Sequence, residues 1–194
     1  MKTTKSTLKT ILLTLTLCGL TLFVEAQETS VEKSTFGVET GFLGLWVNNE
    51  ARLSNQFTLR TEIGLNAGIL GGSAYGETKF VLTPEITLEP RWYYKLKKRE
   101  ANSKDISNNS GNFFSLKTSY SPDWFAISNA EDVNPMSSFS IIPTWGIRRN
   151  IGNHFYFEAG AGVGYRHYFG DNAVNLELKD KIALNVHLRF GYKF

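Results

Sequence analysis

The sequence has little of several residue types on which common sites and scaffolds depend. One cysteine and three histidines in 194 residues exclude a disulfide scaffold and a Cys/His metal cluster. Lys and Arg number 21 against 18 Asp and Glu, whereas a DNA-binding module is usually far more basic. P-loop, HExxH and GxSxG motifs are all missing. We therefore expect no enzyme activity, no cofactor, no metal site and no nucleic-acid partner.

Long apolar runs are also missing beyond the N-terminal segment. No stretch of residues 27–194 contains 18 consecutive apolar residues, so the sequence predicts no membrane-spanning helix there. The chain is nevertheless 42% hydrophobic with a mean hydropathy of −0.20, which excludes a disordered protein. It contains 14 Phe, 8 Tyr, 4 Trp and 17 Gly, against only 5 Pro. This surplus of aromatic residues and glycine requires an explanation.

The first 26 residues have the pattern of a secretory signal peptide. Three lysines (Lys2, Lys5 and Lys9) precede an apolar run over 11–23, and Val24-Glu25-Ala26 fits a small-residue cleavage site. We expect residues 1–26 to direct export through the Sec pathway and then to be removed. Removal takes away three lysines and one glutamate, which lowers the formal net charge from +3 to +1.

The rest of the chain alternates with a period of two residues, which is typical of β-strands. At the C-terminus, seven apolar residues from Ile182 to Phe194 occupy every second position. Phe155 to Arg166 and Phe57 to Leu65 repeat the pattern. The predicted strands lie near 34–43, 45–53, 56–67, 79–95, 112–120, 138–149, 154–168 and 181–194. Residues 27–33 would form a short lead, and 34–194 one barrel domain.

Two features of the connections test this assignment. The apolar positions are even over 36–42 and odd over 45–53, which predicts a tight hairpin near Leu43-Gly44. One long strand with a bulge is the alternative. Turns should alternate between short and long, yet the polar, basic segment 97–112 is long where a short turn is expected.

The alternation fits either a soluble barrel, with its apolar face inside, or a transmembrane barrel, with its apolar face toward lipid. Three features favour the second. The polar face carries bulky charges and glycines, aromatic residues such as Trp92 and Tyr94 stand at the ends of apolar stripes, and the chain ends on Phe194. The predicted fold class is all-β, an eight-stranded antiparallel up-and-down transmembrane β-barrel.

Charged residues predominate on the predicted inward face. An eight-stranded barrel is barely wide enough for its own side chains, so these charges must pair with one another. We predict a paired network that plugs the lumen, with an ion pathway as the alternative. The predicted network comprises Glu50, Arg52, Arg60, Glu62, Glu85, Glu89, Arg91, Glu158, Arg166 and Arg189. The same face includes Glu39, Lys95, Lys117, Arg148 and Lys193.

One predicted loop, 121–137, differs from the others in composition. Trp124 and Phe125 lie beside the acidic Asp123, Glu131 and Asp132. The two aromatic residues are expected either to anchor the loop at a membrane interface or to form a recognition surface for an unidentified ligand.

The C-terminal strand resembles a known signature. Phe190, Tyr192 and Phe194, preceded by Val186 and Leu188, are similar to the terminal strand of bacterial outer-membrane β-barrel proteins. With its length, the chain resembles the small OmpA/OmpX-type barrels. The resemblance implies a monomer in the outer membrane of a Gram-negative cell, surrounded by outer-membrane lipid.

The same resemblance implies recognition of the last strand by the barrel assembly machinery. It also implies a non-catalytic role in membrane integrity, surface interaction or adhesion. Two alternatives remain open at this stage: a small porin-like channel, and a secreted, soluble lipocalin-like barrel that binds a ligand inside.

Overall fold

The protein is a closed β-barrel. A computed structural model describes residues 29–42, 44–70, 79–129, 135–170 and 180–194, so the predicted signal peptide lies outside the described residues. The strands are β1 (Ser34–Gly41), β2 (Gly44–Arg52), β3 (Phe57–Leu70), β4 (Lys79–Trp92), β5 (Asn112–Ser121), β6 (Ile127–Ser128), β7 (Ser138–Ile151), β8 (Phe155–Tyr168) and β9 (Asp180–Lys193). Eight of them form an up-and-down antiparallel barrel that β1 and β9 close. The predicted eight-stranded antiparallel fold is confirmed.

The N-terminal hairpin resolves the question of strand number. β1 and β2 pair from Ser34↔Ala51 to Gly41↔Gly44, so the chain reverses direction between Gly41 and Gly44. The change in apolar phase therefore marks a turn, and the alternative of one long bulged strand is wrong. Gly44 has a φ of +143°, a backbone conformation that residues with a Cβ rarely adopt.

Pro90 interrupts the pairing of β4 with β5 without shifting its register. β4 and β5 pair up to Leu88↔Thr118, skip Glu89 and Pro90, and resume at Arg91↔Ser115. A proline lacks the N–H that a ladder hydrogen bond requires, which accounts for the gap. The register is the same on both sides of the gap, so Pro90 does not introduce a bulge.

The two ends of the barrel differ. One end, here called the turn end, carries the short β2–β3 and β7–β8 turns, the N-terminal lead and the C-terminus. The β4–β5 connection also lies there, as strand alternation requires: Tyr93 N–H donates to the Gln56 carbonyl, and Asn150 contacts Ser107. The opposite end, the loop end, carries the β3–β4, β5–β7 and β8–β9 connections.

The long β4–β5 connection folds under the barrel as a cap. It contains helix α1 (Leu96–Ala101) and a 3₁₀ turn (Ser107–Asn109). Val31 of the lead packs with Tyr93, Leu96 and Phe113 in a small buried apolar cluster, with Ile106 beside it. The connection is long because it supplies a separate core that closes the turn end. None of the described helices is long and apolar enough to cross a membrane.

A short strand that the sequence analysis did not predict completes the sheet at the loop end. β6 pairs with Val81 and Leu82 of β4, beyond the point where β5 has ended. The Ser128 hydroxyl donates to the Phe80 carbonyl, and Phe80 N–H donates to the Asn129 side chain. Part of the 121–137 segment therefore covers the otherwise unpaired edge of β4.

Candidate functional site

The barrel is polar inside and apolar outside. On β9, Leu184 is 74% exposed whereas Arg189 is 5% exposed. Other strands repeat this contrast, because alternate residues of a strand point to opposite faces. The buried polar strand residues are Glu39, Asn48, Glu50, Thr58, Arg60, Glu62, Glu85, Thr87, Glu89, Arg91, Ser119, Ser138, Ser140, Thr144, Arg148, Glu158 and Arg189.

The charges nearest the turn end form one cluster around Glu158, here called the turn-side cluster (Glu50, Glu89, Arg91, Arg148 and Glu158). Arg91 binds Glu158 through two hydrogen bonds of 2.7 and 2.8 Å. Arg148 also binds Glu158, at 2.7 and 2.9 Å, and reaches Glu50 at 2.8 Å. Arg91 donates to Glu89 at 2.8 Å. Glu158 therefore holds two arginines from strands β4 and β7.

A second group, the central cluster (Glu39, Arg60, Glu62 and Arg189), lies closer to the middle of the barrel. Arg60 contacts Glu39 and Glu62, each at 2.6 Å. Arg189 contacts Glu62 at 2.8 Å and Glu39 at 3.3 Å. The two acids and two bases form a closed ring of ion pairs that joins β1, β3 and β9.

Neutral groups complete the hydrogen bonding of these buried acids. Glu50 accepts from Thr58 and from Asn109 of the cap, at 2.8 and 2.9 Å. Glu89 accepts from Ser115 at 2.6 Å. These donors matter because a buried carboxylate is costly unless its lone pairs are satisfied. Asn109 also connects the cap to the lumen network, and no pattern in the sequence indicated that contact.

Aromatic rings lie against three of the buried guanidinium groups. Arg189 lies 3.8 Å from the centre of a Trp46 ring, and Arg91 lies 4.2 Å from the centre of Phe113. Arg148 lies 5.0 Å from the ring centre of Tyr156. Such cation–π contacts strengthen when the cation is desolvated. The sequence could have predicted that Trp46 faces inward, because it stands two and four residues before Asn48 and Glu50 on the inward face of β2.

Tyr156 fills space that a glycine leaves open. A Cβ at Gly191 would lie 2.2 Å from Cζ of the Tyr156 ring, so no larger residue fits there without displacing the ring. The Tyr156 hydroxyl donates to Glu39 at 2.8 Å. The ring therefore links β8 to the central cluster.

We expect Tyr156→Phe to lower the free energy of unfolding by roughly 1.5–3 kcal/mol, because it removes a hydrogen bond to a buried charge. Tyr165→Phe is the matched control: its hydroxyl donates to Asp180, whose carboxylate is exposed, so the expected loss is small. Urea unfolding followed by tryptophan fluorescence measures both. Equal losses of unfolding free energy in the two variants would contradict a larger contribution from the buried Tyr156–Glu39 hydrogen bond.

The structure separates several predicted network residues from these clusters. Glu85 pairs with Lys117 at 3.4 Å, nearer the loop end. Arg52 and Arg166 are half-buried, and neither makes an ion pair within the described ranges. Lys95, expected on the inward face, instead lies past the end of β4 and is exposed. The alternation ends with the strand, so its phase does not apply to Lys95.

A cavity of about 180 Å³ lies above the central cluster toward the loop end. Glu85, Lys117, Arg166, His187 and Arg189 contribute to its lining. The central cluster lies between this cavity and the cap.

The cap contains one carboxyl group whose pKa is shifted. Partial burial would raise the pKa of the Asp105 carboxyl, but hydrogen bonds from Ser107 and Asn150 outweigh burial and hold that pKa below its usual value.

Aromatic side chains surround the outside of the turn end. Phe57 and Trp92 stack with ring centres 6.0 Å apart, Tyr94 packs on Phe114 at 5.1 Å, and Tyr94 OH accepts from Trp145 Nε1 at 2.9 Å. We call this group the aromatic belt. Its members are Phe36, Phe57, Trp92, Tyr94, Phe114, Trp145, Phe155, Tyr192 and Phe194. Every barrel strand except β2 contributes at least one residue to the belt, and Tyr94 and Phe194 lie just beyond the ends of β4 and β9.

The remaining predicted residues lie on the outer surface. Phe190 and Tyr192 project outward from β9, and Phe194 is 81% exposed at the end of the chain. Tyr192 packs on Phe155 and Phe194. In the loop-end segment, Trp124 and Phe125 are both exposed.

Comparisons of the chain with protein-family models, curated proteins and solved structures find no match. In the part of the chain that the structure describes, no three His, Cys, Asp or Glu side chains are grouped to hold a metal ion.

Proposed function

We propose that the protein is an outer-membrane β-barrel with a non-catalytic structural or surface-interaction role. The observation that carries the proposal is the inverted distribution of side chains. Outward residues such as Ile63, Leu184 and Val186 are each more than 60% exposed, while Arg60 and Glu158 are fully buried. An apolar outer wall is stable in lipid, and closure of the barrel leaves no strand edge with unpaired backbone groups.

The dimensions of the wall support the same proposal. β3, β4, β7, β8 and β9 each have 14 residues, whereas a tilted strand needs about 9–11 to cross a bilayer. The aromatic belt lies at one end of the apolar stripes, as expected for side chains at the level of lipid headgroups. We assign the turn end to the periplasm, which follows from the resemblance to bacterial barrels.

The interior favours a plug over the two alternatives. A porin-like channel needs an open path through the barrel, but ion-paired side chains and the cap fill the lumen toward the turn end. A lipocalin-like barrel needs an apolar interior for its ligand, whereas here the apolar residues are outside. Trp124 and Phe125 are then exposed on the cell surface, where they either anchor the loop or contact a partner.

Fractionation of cells that produce the full chain tests the proposal. We expect the protein in the outer-membrane fraction, released only by detergent, and no stable conductance when it is reconstituted in a planar bilayer. Recovery in the soluble periplasm without detergent would contradict the membrane assignment. A resolved single-channel step would support the channel instead.

We further propose that the barrel assembly machinery recognises the C-terminal strand through its exposed aromatic residues.

Phe194→Ser should leave folding in detergent nearly unchanged, because Phe194 is exposed, yet it should reduce the amount of folded barrel in cell membranes severalfold. Ile182→Ser is the matched control, because Ile182 is 82% exposed at the other end of the same strand. Gel mobility of unheated membrane samples reports the folded fraction. Equal reductions by both substitutions would contradict recognition at the terminus.

A further inference from the structure

The turn end carries a group of cations that have no acidic partner among the described residues. Lys95, Lys98, Arg99, Lys104 and Arg149 line a shallow pocket of about 230 Å³, here called the cationic pocket. Two asparagines complete the described lining, which contains no acidic side chain. Within the described ranges, none of the five cations forms an ion pair. Like charges held this close favour the binding of an anion.

Arg149 fixes the position of this pocket on the barrel wall. Arg148 points into the lumen, so its neighbour Arg149 points outward, at the turn end of the otherwise apolar outer face of β7. The Arg149 guanidinium donates to the Gly111 carbonyl at 2.8 Å and to the Asn112 side chain, which holds it at the rim. An outward arginine is costly at the bilayer midplane, but the cost nearly vanishes near the interface.

The pocket is continuous with the aromatic belt. Lys95 Nζ lies 5.3 Å from the ring centre of Tyr94, and the Tyr94 hydroxyl is bonded to Trp145. A molecule that occupies the pocket therefore lies next to an apolar surface that extends along the barrel wall. Free phosphate would use only the cations, whereas a lipid would use both surfaces.

We propose that the cationic pocket binds the phosphate of an anionic phospholipid headgroup, with the acyl chains lying against the barrel wall. This inference rests on the membrane placement proposed above. The guanidinium groups of Arg99 and Arg149 donate in part to main-chain carbonyls, which leaves some of their N–H groups for phosphate oxygens. The three lysines add positive charge around them. The site would hold the barrel at a fixed height in the leaflet that faces the turn end.

The test uses the full-length exported barrel in phosphatidylcholine vesicles, titrated with phosphatidylglycerol. Mass spectrometry of the extracted complexes measures how strongly each lipid is retained. We expect the wild-type protein to prefer phosphatidylglycerol. The variant K95Q/K98Q/K104Q should lose that preference by at least about tenfold, since each lysine near an anionic surface contributes roughly fivefold.

A matched variant, K33Q/K97Q/K181Q, removes the same charge from three exposed lysines that do not line the pocket. It should keep the preference. Equal loss in both variants would overturn the proposal, because net charge alone would then explain the binding. Displacement of phosphatidylglycerol by an equimolar amount of inorganic phosphate would also overturn it, in favour of a free-phosphate site.

Vesicle flotation distinguishes a failure of the headgroup site from a failure of the proposed membrane placement. A barrel that floats with the vesicles but shows no preference for phosphatidylglycerol contradicts only the headgroup site. A barrel that does not associate with vesicles of either lipid contradicts the proposed membrane function as well.

Discussion

Glu158→Gln should lower the free energy of unfolding by roughly 3–5 kcal/mol, because it removes the charge that two buried arginines share. Arg91 and Arg148 both bind the Glu158 carboxylate, and all three side chains are at most 1% exposed. An amide of the same shape keeps the volume but offers only one acceptor oxygen. Each buried arginine would then keep only one hydrogen-bonded carboxylate, Glu89 for Arg91 and Glu50 for Arg148.

The measurement is urea unfolding of the refolded barrel, followed by tryptophan fluorescence and by the gel mobility of unheated samples. Asp123→Asn, which removes one exposed carboxylate at the loop end, serves as the control and should change stability by less than about 0.5 kcal/mol. If Glu158→Gln behaves like this control, the turn-side cluster is not a desolvated network, and the plug loses its main support.

Gly44→Ala should be about as damaging, by a different mechanism. A Cβ at this position would lie 2.0 Å from the Leu65 carbonyl oxygen, and the backbone has a φ of +143°. The clash is with main chain, so no side chain can rotate away to relieve it. Overpacking costs about 1–3 kcal/mol and a disallowed backbone conformation about 1–3 kcal/mol, so we expect a combined loss of roughly 2–6 kcal/mol.

Gly152→Ala separates these two costs. Gly152 also has a positive φ, +66°, but a Cβ there would meet no atom within 4 Å. Only the conformational cost of about 1–2 kcal/mol should remain. Both variants are compared by the same unfolding assay. If the two losses are equal, close contact between β2 and β3 at Gly44 is not what requires glycine.

The sequence was sufficient to predict the eight strands of the barrel and the face on which most of their residues lie. The reason is physical: period-two alternation persists over many residues, and a one-residue slip would move every side chain to the wrong face. The N-terminal hairpin followed from the same rule, since the apolar phase changes between Phe42 and Leu45. Alternation also placed Glu39 and Arg148 inside the barrel.

Alternation could not predict which charges meet. The partners Arg148 and Glu50 lie on β7 and β2, which are not neighbours in the sheet, and their contact depends on the stagger around the barrel. The alternation places Arg52 and Arg166 on the inward face, as predicted. Along the barrel axis, however, no acidic side chain of the described residues lies close enough to pair with them. The cap was missed because its apolar residues, such as Leu96 and Ile106, follow no regular period.

The central cluster also constrains the order of events during folding. Arg189, near the end of the chain, binds Glu39, which is 150 positions earlier. Half of this ion-pair ring is therefore absent until the first and last strands meet. A partly assembled sheet would have to present unpaired guanidinium and carboxylate groups to hydrocarbon, at a cost of several kilocalories per mole for each ion. For the membrane placement proposed above, strand-by-strand entry into a bilayer would thus be unfavourable, and closure of the cylinder and its insertion would be a single cooperative step.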